Sequence, residues 1–468
     1  MSFRSFLRRA RYLSLPACLF ATLGLGGAAN PELSPRIWLS VLSIVTVIPL
    51  LPFALRQSET PKAKFLLLII FVWSAWSILQ LVPLPEAIWS KLGDRSVIEE
   101  GLTILSLPAN HPMPISLAPE SGRISLSGAT PFLAVYCLVL VLGRRSASTL
   151  NWIIPAMGAA TALLGFAQIL SNNDQRLYFY EVTNPNSPVG IFANANHQAC
   201  FLALSLPFTA ALLRDMKRRW LSRDVDIAKA ISVLAMALPI LLCLLAAGSV
   251  AGYLLLLPAL AGSFFIFNGR ASLSPSMIRF SLLAGVLVMM AGLLVFSSPV
   301  LGGLSLMSLS GSEMSRPHIW STTLQIIRDH WLFGTGLGSF EDVFRIYEDP
   351  GSVTRTYANN AHNDVLQFVM ETGLVGAILI IVGLRLYWQL FKKAWKQESD
   401  EIRHTSRAAT IALLIIMLHS LVDYPARTPI IACVAAACLA VLVQDQARKK
   451  RSSRGRDQSE DDDRSLVI

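Results

Sequence analysis

The residues best suited to chemistry lie in a polar stretch that ends on a histidine. His362 stands in Ala361-His362-Asn363-Asp364, where this stretch meets a long apolar run. An imidazole near a helix N-terminus feels a positive backbone potential, which favours the neutral ring and leaves it able to accept a proton. A lone histidine more often makes one structural hydrogen bond, but the polar residues around His362 favour the chemical interpretation.

Three polar residues follow at helical spacing and should share one face. Asn363, Gln367 and Glu371 recur every four positions, so a helix would align them in one stripe. A helix that faced only lipid would not carry such a stripe, because polar groups are costly in hydrocarbon. We therefore expect this face to line a cavity or to pack against another helix, and we count Asn363 and Glu371 among the candidates for substrate binding.

Upstream of the histidine, Arg316 lies close to Trp320. A guanidinium group is planar and permanently charged and can bind a phosphate through two hydrogen bonds. An aromatic ring can stack on a sugar or on the guanidinium group itself. All but one of the basic residues in the loops predicted to lie outside are Arg, which suits a phosphate or pyrophosphate ligand. The alternative is that each Arg only pairs with a loop carboxylate or a lipid headgroup.

Two further polar clusters are predicted on the same side of the protein. The first contains Asn196 and His197 and leads into a helix, and the second contains Asp423 and Arg427 at the last outward turn. Asn196 could do no more than cap a helix, and Asp423 could simply pair with Arg427. Their common side makes all four residues candidates for substrate binding.

A glycine-rich segment, Gly334 to Gly338, separates the Arg316 region from His362. A phosphate-binding loop of the nucleotide-binding type needs a preceding strand or a following Gly-Lys-Ser/Thr, and the sequence has neither. We interpret the glycines as shaping a tight loop at the membrane surface.

The elements that position these residues are membrane-spanning helices. The 468 residues are 53% hydrophobic and 15% charged, whereas soluble domains carry about 25% charged residues. The charges cluster between long apolar runs, which indicates an all-α, polytopic integral membrane protein. The net charge of +10 does not indicate a nucleic-acid partner, because the basic residues lie in short loops beside apolar runs and are explained by orientation in the lipid.

About twelve segments are long enough to cross a bilayer. They lie near 13–29, 37–55, 65–82, 129–143, 151–170, 195–213, 228–247, 250–268, 279–298, 365–390, 408–422 and 428–444. The first follows an Arg-rich start and resembles a signal peptide, but the spans after it favour an uncleaved helix. With both termini in the cytoplasm, about three quarters of the 40 Lys and Arg fall on the cytoplasmic side, as the positive-inside rule requires.

Two long loops then lie on the outer side, near 83–128 and 299–361. We expect the first to be irregular with a short helix, while the second carries the central motifs. Residues 1–445 would form one membrane-embedded unit. The charged tail, 446–468, is predicted to be disordered in the cytoplasm.

The motifs resemble those of the O-antigen ligase and polymerase superfamily of bacterial envelope glycosyltransferases. The resemblance covers about 150–430 and rests on Arg316 with Trp320, on Gly334-Thr335-Gly336-Leu337-Gly338-Ser339-Phe340, on Ala361-His362-Asn363-Asp364 and on Glu371-Thr372-Gly373-Leu374-Val375-Gly376. The segments 190–197 and 419–425 are also similar to recurrent segments of that family.

This resemblance implies an enzyme on the periplasmic face of the bacterial inner membrane. Its donor would be a glycan on undecaprenyl pyrophosphate, transferred without a metal, another cofactor or a nucleotide sugar to a sugar or lipid A-core acceptor. His362 would be the general base or would orient the acceptor, and Arg316 would bind the donor pyrophosphate. Polymerase, ligase and protein oligosaccharyltransferase activities share these motifs and stay open.

The chain departs from the family pattern at one turn. Many members carry a second essential Arg there, and the matching turn, Gly248-Ser249-Val250-Ala251-Gly252, has Val250 at that position. The sequence does not choose among the Arg residues that could replace it, which are Arg176, Arg345, Arg355 and Arg427. Arg355 is also a candidate for substrate binding.

Two other classes of protein compete with the transferase. A transporter or flippase for lipid-linked sugars also has many spans, but ion-coupled transport usually places ionisable residues well inside the membrane. Only Glu371 and Arg385 come close to such a position here. A structural membrane scaffold would not need His and Arg residues on its outer face.

Overall fold

The protein is helical throughout the part of the chain that the structure describes. The computed structural model describes residues 3–29, 33–57, 60–106, 108, 110–171, 174–180, 187–221, 227–269, 316–352, 357–396 and 403–444. Within these ranges there is no β-strand, and one isolated bridge joins Leu84 to Met113. The predicted span at 279–298 and the tail at 446–468 lie outside them.

Twelve longer helices and four short ones make up most of the described chain. The bounds are α1 Phe3–Leu25, α2 Leu33–Gln57, α3 Pro61–Leu79, α4 Glu86–Trp89, α5 Ser96–Ile104, α6 Pro119–Ser127, α7 Ala129–Leu142, α8 Arg145–Leu170, α9 Ala195–Leu221, α10 Ile227–Ala246, α11 Val250–Asn268, α12 Arg316–Asp329, α13 Phe340–Tyr347, α14 Asp364–Lys396, α15 Arg403–His419 and α16 Pro429–Gln444.

Eight helical segments are long and apolar enough to cross a membrane, so the chain is a multi-pass membrane protein. They are Pro35–Arg56, Pro61–Leu79, Pro119–Leu142, Arg145–Leu170, Ala195–Lys217, Ile227–Ala246, Val250–Asn268 and Asp364–Lys396. Three more predicted spans fall on α1, α15 and α16. Shorter apolar helices are found at Leu13–Leu25 in α1 and at Pro429–Gln444, and α15 is 17 residues long. The total of about twelve stays a prediction.

Helix α9 lies at the centre of the bundle and packs against α8, α10, α11 and α15. Small residues allow this close approach, as is usual between helices in membranes. A Cβ atom added at Gly252 of α11 would lie 2.6 Å from the Cβ of Ala199 in α9, and one added at Gly262 would meet Ile411 of α15 at 2.7 Å. The central position of α9 matters because its first turn carries Asn196 and His197.

The loop near 83–128 is more helical than predicted, since it contains α4, α5 and α6. Its Arg95 is buried, and the guanidinium group donates to the carbonyl oxygens of Pro114 at 3.1 Å and Ile115 at 2.6 Å. This arginine therefore ties the loop together and is not free for a phosphate. The second long loop is described from Arg316 onwards and contains α12 and α13.

Helix α14 is interrupted at Gly373, which has φ +62° and ψ −144°. The glycine-rich loop enters this break: Thr335 N donates to Met370 O at 2.9 Å, and Gly336 N donates to Glu371 O at 3.0 Å. From α3, Gln80 Nε2 also donates to Glu371 O at 2.9 Å. The carbonyl groups left without helical partners at the break therefore accept hydrogen bonds from the loop and from the end of α3. The glycines of the loop form a tight turn.

Candidate functional site

One end of the helix bundle gathers most of the predicted site residues. His362 precedes α14, Asn196 and His197 lie in the first turn of α9, Arg316 begins α12, and Asp423 follows α15. These residues come from four distant parts of the sequence, and their side chains meet at one carboxylate, that of Asp423. Arg355 lies outside the residues that the structure describes.

Asp423 is fully buried and accepts three hydrogen bonds. Its Oδ2 accepts from Asn196 Nδ2 at 2.8 Å, and its Oδ1 accepts from the backbone N of Tyr424 at 3.0 Å. His362 Nδ1 lies 3.2 Å from the same Oδ1. Arg316 approaches from the exposed side, with Nη2 at 3.7 Å from Oδ2.

Two more histidines complete the surroundings of this carboxylate. His197 Nε2 lies 3.8 Å from Oδ1, and His419 Nε2 lies 3.9 Å from Oδ2, so neither makes a direct hydrogen bond to it. His197 Nδ1 is instead 2.9 Å from the hydroxyl of Thr428. Among the residues that the structure describes, no group of His, Cys, Asp and Glu side chains is arranged to hold a metal ion.

The charge of Asp423 fixes the tautomer of His362. Burial by itself raises the pKa of a carboxyl group, but His197 and His362 outweigh burial and hold the pKa of Asp423 well below its ordinary range. An ionised carboxylate can only accept hydrogen bonds. A neutral His362 ring therefore carries its proton on Nδ1 in this arrangement, which leaves Nε2 as an acceptor.

The backbone holds His362 in an uncommon conformation, with φ +48°. Residue Ala361 is fixed on both sides, because its carbonyl accepts from Trp320 Nε1 at 2.9 Å and its N–H donates to Gln367 Oε1 at 2.9 Å. The His362 ring packs against Tyr424, with centroids 4.9 Å apart. Such strain persists where the surroundings impose it, often at functional sites. The side chain stays 26% exposed, so Nε2 can reach a bound substrate.

Asn363 uses its whole side chain within the protein. Its Oδ1 accepts from the backbone N atoms of Val365 and Leu366 at 3.0 Å, which makes it the N-terminal cap of α14. Its Nδ2 donates to Leu421 O at 2.9 Å. The geometry therefore gives this residue a capping role that holds α14 against the turn containing Asp423.

The fully buried Glu371 pairs with the partly exposed Arg427 beside the site. Arg427 Nη2 lies 3.1 Å from Glu371 Oε2, and its Nε lies 3.5 Å from Asp364 Oδ1. Gln367 Nε2 donates to Glu371 Oε1 at 3.1 Å. The polar stripe thus faces neighbouring protein, as predicted, and Glu371 is fully buried.

The turn around Val250 also reaches this region. Ser249 Oγ donates to Asn196 Oδ1 at 2.7 Å, and Asn196 in turn donates to Asp423. Val250 itself is 50% exposed. The turn is therefore part of the same hydrogen-bonded cluster, although it brings no charge to it.

The arginines considered as replacements for a charge at Val250 have other partners. Arg345 pairs with Glu341 at 2.6 Å, and Arg176 lies near Asp174 at 3.9 Å. Arg427 is close to the site but is engaged by Glu371 and Asp364. Among the described arginines, Arg316 is the one that approaches Asp423.

A family model described as O-antigen ligase matches residues 234–381. Residues 234–381 are therefore similar to the O-antigen ligase family. The match confirms the resemblance predicted from the sequence, and it includes His362, Arg316 and the break in α14. A search of curated proteins finds no match.

The matched O-antigen ligase region does not include the whole cluster. Asn196 and His197 precede it and Asp423 follows it. Sequence reasoning also gave no role to His419, Tyr424 or Ser249. For His419 a signal exists, because it lies four residues before Asp423 and both could share a helical face. No local signal connects Ser249 to Asn196.

Proposed function

We propose that the protein transfers a glycan from undecaprenyl pyrophosphate to a sugar acceptor on the periplasmic face of the bacterial inner membrane. The O-antigen ligase match supports a polysaccharide ligase or polymerase role. The acceptor would be the end of another lipid-linked glycan in a polymerase, or lipid A-core in a ligase.

The observation that carries the proposal is the pair formed by His362 and Asp423 at 3.2 Å. Because Asp423 accepts a hydrogen bond from the Nδ1–H group of His362, the Nε2 atom is left to act as a base. It can take the proton of the acceptor hydroxyl as the hydroxyl oxygen attacks the anomeric carbon. The bond between that carbon and the phosphate oxygen breaks, and undecaprenyl pyrophosphate leaves. The ionised Asp423 stabilises the imidazolium ion that forms.

Arg316 is placed to bind the donor pyrophosphate. Its side chain is 43% exposed and makes no close hydrogen bond to Asp423, since the nearest atoms are 3.7 Å apart. A phosphate can therefore recruit this guanidinium group without breaking a strong interaction. The leaving pyrophosphate is a stable anion, so charge neutralisation by Arg assists its departure.

The remaining candidates hold the two central residues in place. Asn196 and His197 orient Asp423, while Glu371 and Arg427 fix α14 behind His362. The indole N–H of Trp320 is used by Ala361 O, which leaves the ring face for contact with a sugar. Arg355 stays a predicted substrate contact.

The topology of the proposal follows the charge pattern. In this proposal, residues 1–445 form one membrane-embedded unit and both termini lie in the cytoplasm. The site end of the helices then faces the periplasm.

The test is an in vitro reaction with one defined undecaprenyl-pyrophosphate oligosaccharide and no other acceptor. We expect purified wild-type protein to form a ladder of products on a gel and His362→Ala to be slower by about 10²–10⁴-fold, which is the usual contribution of a positioned base. A matched control is His111→Ala, because His111 is an exposed loop histidine.

A ladder from the wild type and from His111→Ala, lost in His362→Ala, supports a polymerase centred on His362. If no ladder forms, lipid A-core is added to the same reactions, and transfer to it supports a ligase. Turnover of His362→Ala at the wild-type rate would contradict the assignment of the base, and no transfer by the wild type to any supplied sugar acceptor would contradict a transferase.

A further inference from the structure

A short helix in the first long loop leaves an apolar face uncovered. In α5, Val97 is 53% exposed and Ile104 is 73% exposed, and Leu105, which follows the helix directly, is 70% exposed. We call these three residues the exposed face of α5. Leu102 of the same helix is buried against the protein. The helix is therefore held by one apolar side and presents a second one outward.

The polar residues of α5 lie on another side of the helix. Successive residues of an α-helix are about 100° apart, which places Val97 and Ile104 in nearly the same direction. Glu99 and Thr103 are exposed and lie about 100–160° away from them, and Glu100 lies at the boundary. An amphipathic helix of this kind is suited to lie in the plane of a membrane interface with its apolar side inserted.

Hydrogen bonds hold the start of α5 beside the end of α3, a helix that is long and apolar enough to cross the membrane. Arg95, immediately before α5, donates to the carbonyl oxygens of Pro114 and Ile115. The next residue, Ser116, donates from its backbone N to Gln80 O at 2.8 Å, directly after the last residue of α3. The first turn of α5 therefore lies near the level at which the chain leaves the hydrocarbon.

Exposed apolar residues connect the lipid-contacting surface of α3 to α5. Ile78 and Leu79 in the last turn of α3 are exposed, and so are Val82 and Ile88 in the segment that leads to α5. Exposed apolar side chains of a helix that crosses the membrane contact lipid. The exposed face of α5 thus continues, along the chain, a surface that already contacts lipid.

An exposed tryptophan supports the same level for α5. Trp331 is exposed and lies two residues before Phe333, whose ring stacks on that of Trp76 in the last turn of α3 with centroids 6.3 Å apart. The residue before it, His330, lies against the loop that leads to α5, since a Cβ atom added at Gly93 would be 2.6 Å from its Nδ1. Tryptophan is enriched where a membrane protein meets the interface between lipid and water.

We propose that the exposed face of α5 inserts into the interfacial region of the lipid bilayer. Single exposed apolar residues are normal on a protein surface, but here three lie together at the level of the membrane surface. Insertion removes this apolar surface from water and leaves Glu99 in the aqueous phase. Lipid is the occupant because the exposed apolar residues begin on a span that already contacts lipid.

The same loop reaches the glycine-rich segment beside the candidate site. Leu117 N donates to Thr335 O at 2.8 Å, and Thr335 N donates to Met370 O at the break in α14. The lipid contact of α5 therefore helps to hold this loop against the break.

The test measures how deeply nitroxide labels on α5 lie in a bilayer, and it needs no transfer activity. The full-length protein is reconstituted into vesicles of phosphatidylethanolamine and phosphatidylglycerol, with Ile104→Cys and Glu99→Cys labelled in turn. Collision of the label with oxygen, which concentrates in lipid, is compared with collision with a water-soluble nickel complex. We expect the label at position 104 to lie about 5–10 Å deep in the interface and the label at position 99 to lie in water.

A second pair of variants on the same helix serves if either of these does not fold. Val97→Cys should behave as Ile104→Cys does, and Thr103→Cys as Glu99→Cys does, because all four side chains are exposed and the pairs share their directions on the helix. Five of the six native cysteines are buried, and wild-type protein treated with the label supplies the background signal.

Three results would overturn the proposal. The first is a label at position 104 that the nickel complex reaches as readily as it reaches position 99, which would place the face in water. The second is a label at position 104 that is protected from both reagents, which would mean that protein covers the face. The third is spectral broadening at position 104 that disappears on dilution with unlabelled protein, which would mean that the face packs against a second copy of the chain.

Discussion

Two buried carboxylates lie at the same end of the helices and have different surroundings. Asp423 and Glu371 are both fully buried. Glu371 is compensated by the buried Gln367 and by Arg427, whose side chain is 22% exposed and also faces Asp364. Asp423 is connected through His362 and Arg316 to groups that are 26% and 43% exposed.

Under the proposed function, the difference separates a chemical role from a supporting one. A buried negative charge costs free energy unless it is paired and hydrogen-bonded, and both sites meet this condition. At Asp423 the two exposed groups, His362 and Arg316, face the space where a substrate would bind. At Glu371 the partners also contact the start of α14, since Arg427 faces Asp364 and Gln367 accepts from the N–H of Ala361, so we expect this charge to fix the position of α14.

The largest expected effect is that of Asp423→Asn on the transfer rate. The substitution keeps the shape but removes the charge that stabilises the His362 imidazolium ion, so we expect kcat to fall by about 10²–10⁴-fold with KM little changed. Initial rates on a defined lipid-linked oligosaccharide measure this.

A double variant tests whether Asp423 acts through His362. Asp423→Asn/His362→Ala should be no slower than His362→Ala alone, since residues that act as a unit are not additive. A further loss in the double variant would show that Asp423 contributes independently, and a rate near wild type for Asp423→Asn would contradict the comparison.

Gly373→Ala should give the next largest effect, on stability. Alanine at φ +62° is strained, and its Cβ would lie 2.5 Å from Gly334 N and 2.6 Å from Leu332 O. We expect a loss of about 2–4 kcal/mol, seen as a lower melting temperature in detergent. Gly383→Ala in the same helix is the control, because nothing lies within 4 Å of the added Cβ; equal melting of the two variants would show that the break does not need glycine.

Glu371→Gln should have the smallest effect of the three. It removes one charge facing Arg427, but Asp364 remains 3.5 Å from the same guanidinium group, so we expect a loss of about 1–2 kcal/mol in unfolding free energy. The rate per folded molecule should stay near wild type.

A matched substitution controls for the loss of a surface charge. Glu341 makes an exposed pair with Arg345, and Glu341→Gln should change stability by less than about 0.5 kcal/mol. If Glu371→Gln lowered the transfer rate as much as Asp423→Asn does, the separation of the two carboxylates would be wrong.

Much of the site could be predicted because the membrane restricts what a sequence can do. Polar residues are costly in hydrocarbon, so Asn196, His362 and Asp423 at the ends of apolar runs were visible as candidates on one side. Their chemical roles could not be separated in the same way. Asn363 as a helix cap and Asp423 as the common partner of His362 and Asn196 depend on contacts between distant segments.

The sequence by itself determined the all-helical class, most of the spans and the similarity to O-antigen ligases, and it made His362 and Arg316 candidates, because periodicity, hydropathy and motif spacing are local properties. Only the tertiary structure decided which carboxylate faces His362 and that α14 breaks at Gly373 around the glycine-rich loop. Each of these depends on which helix packs beside which, and a contact of this kind leaves no periodic trace in either partner.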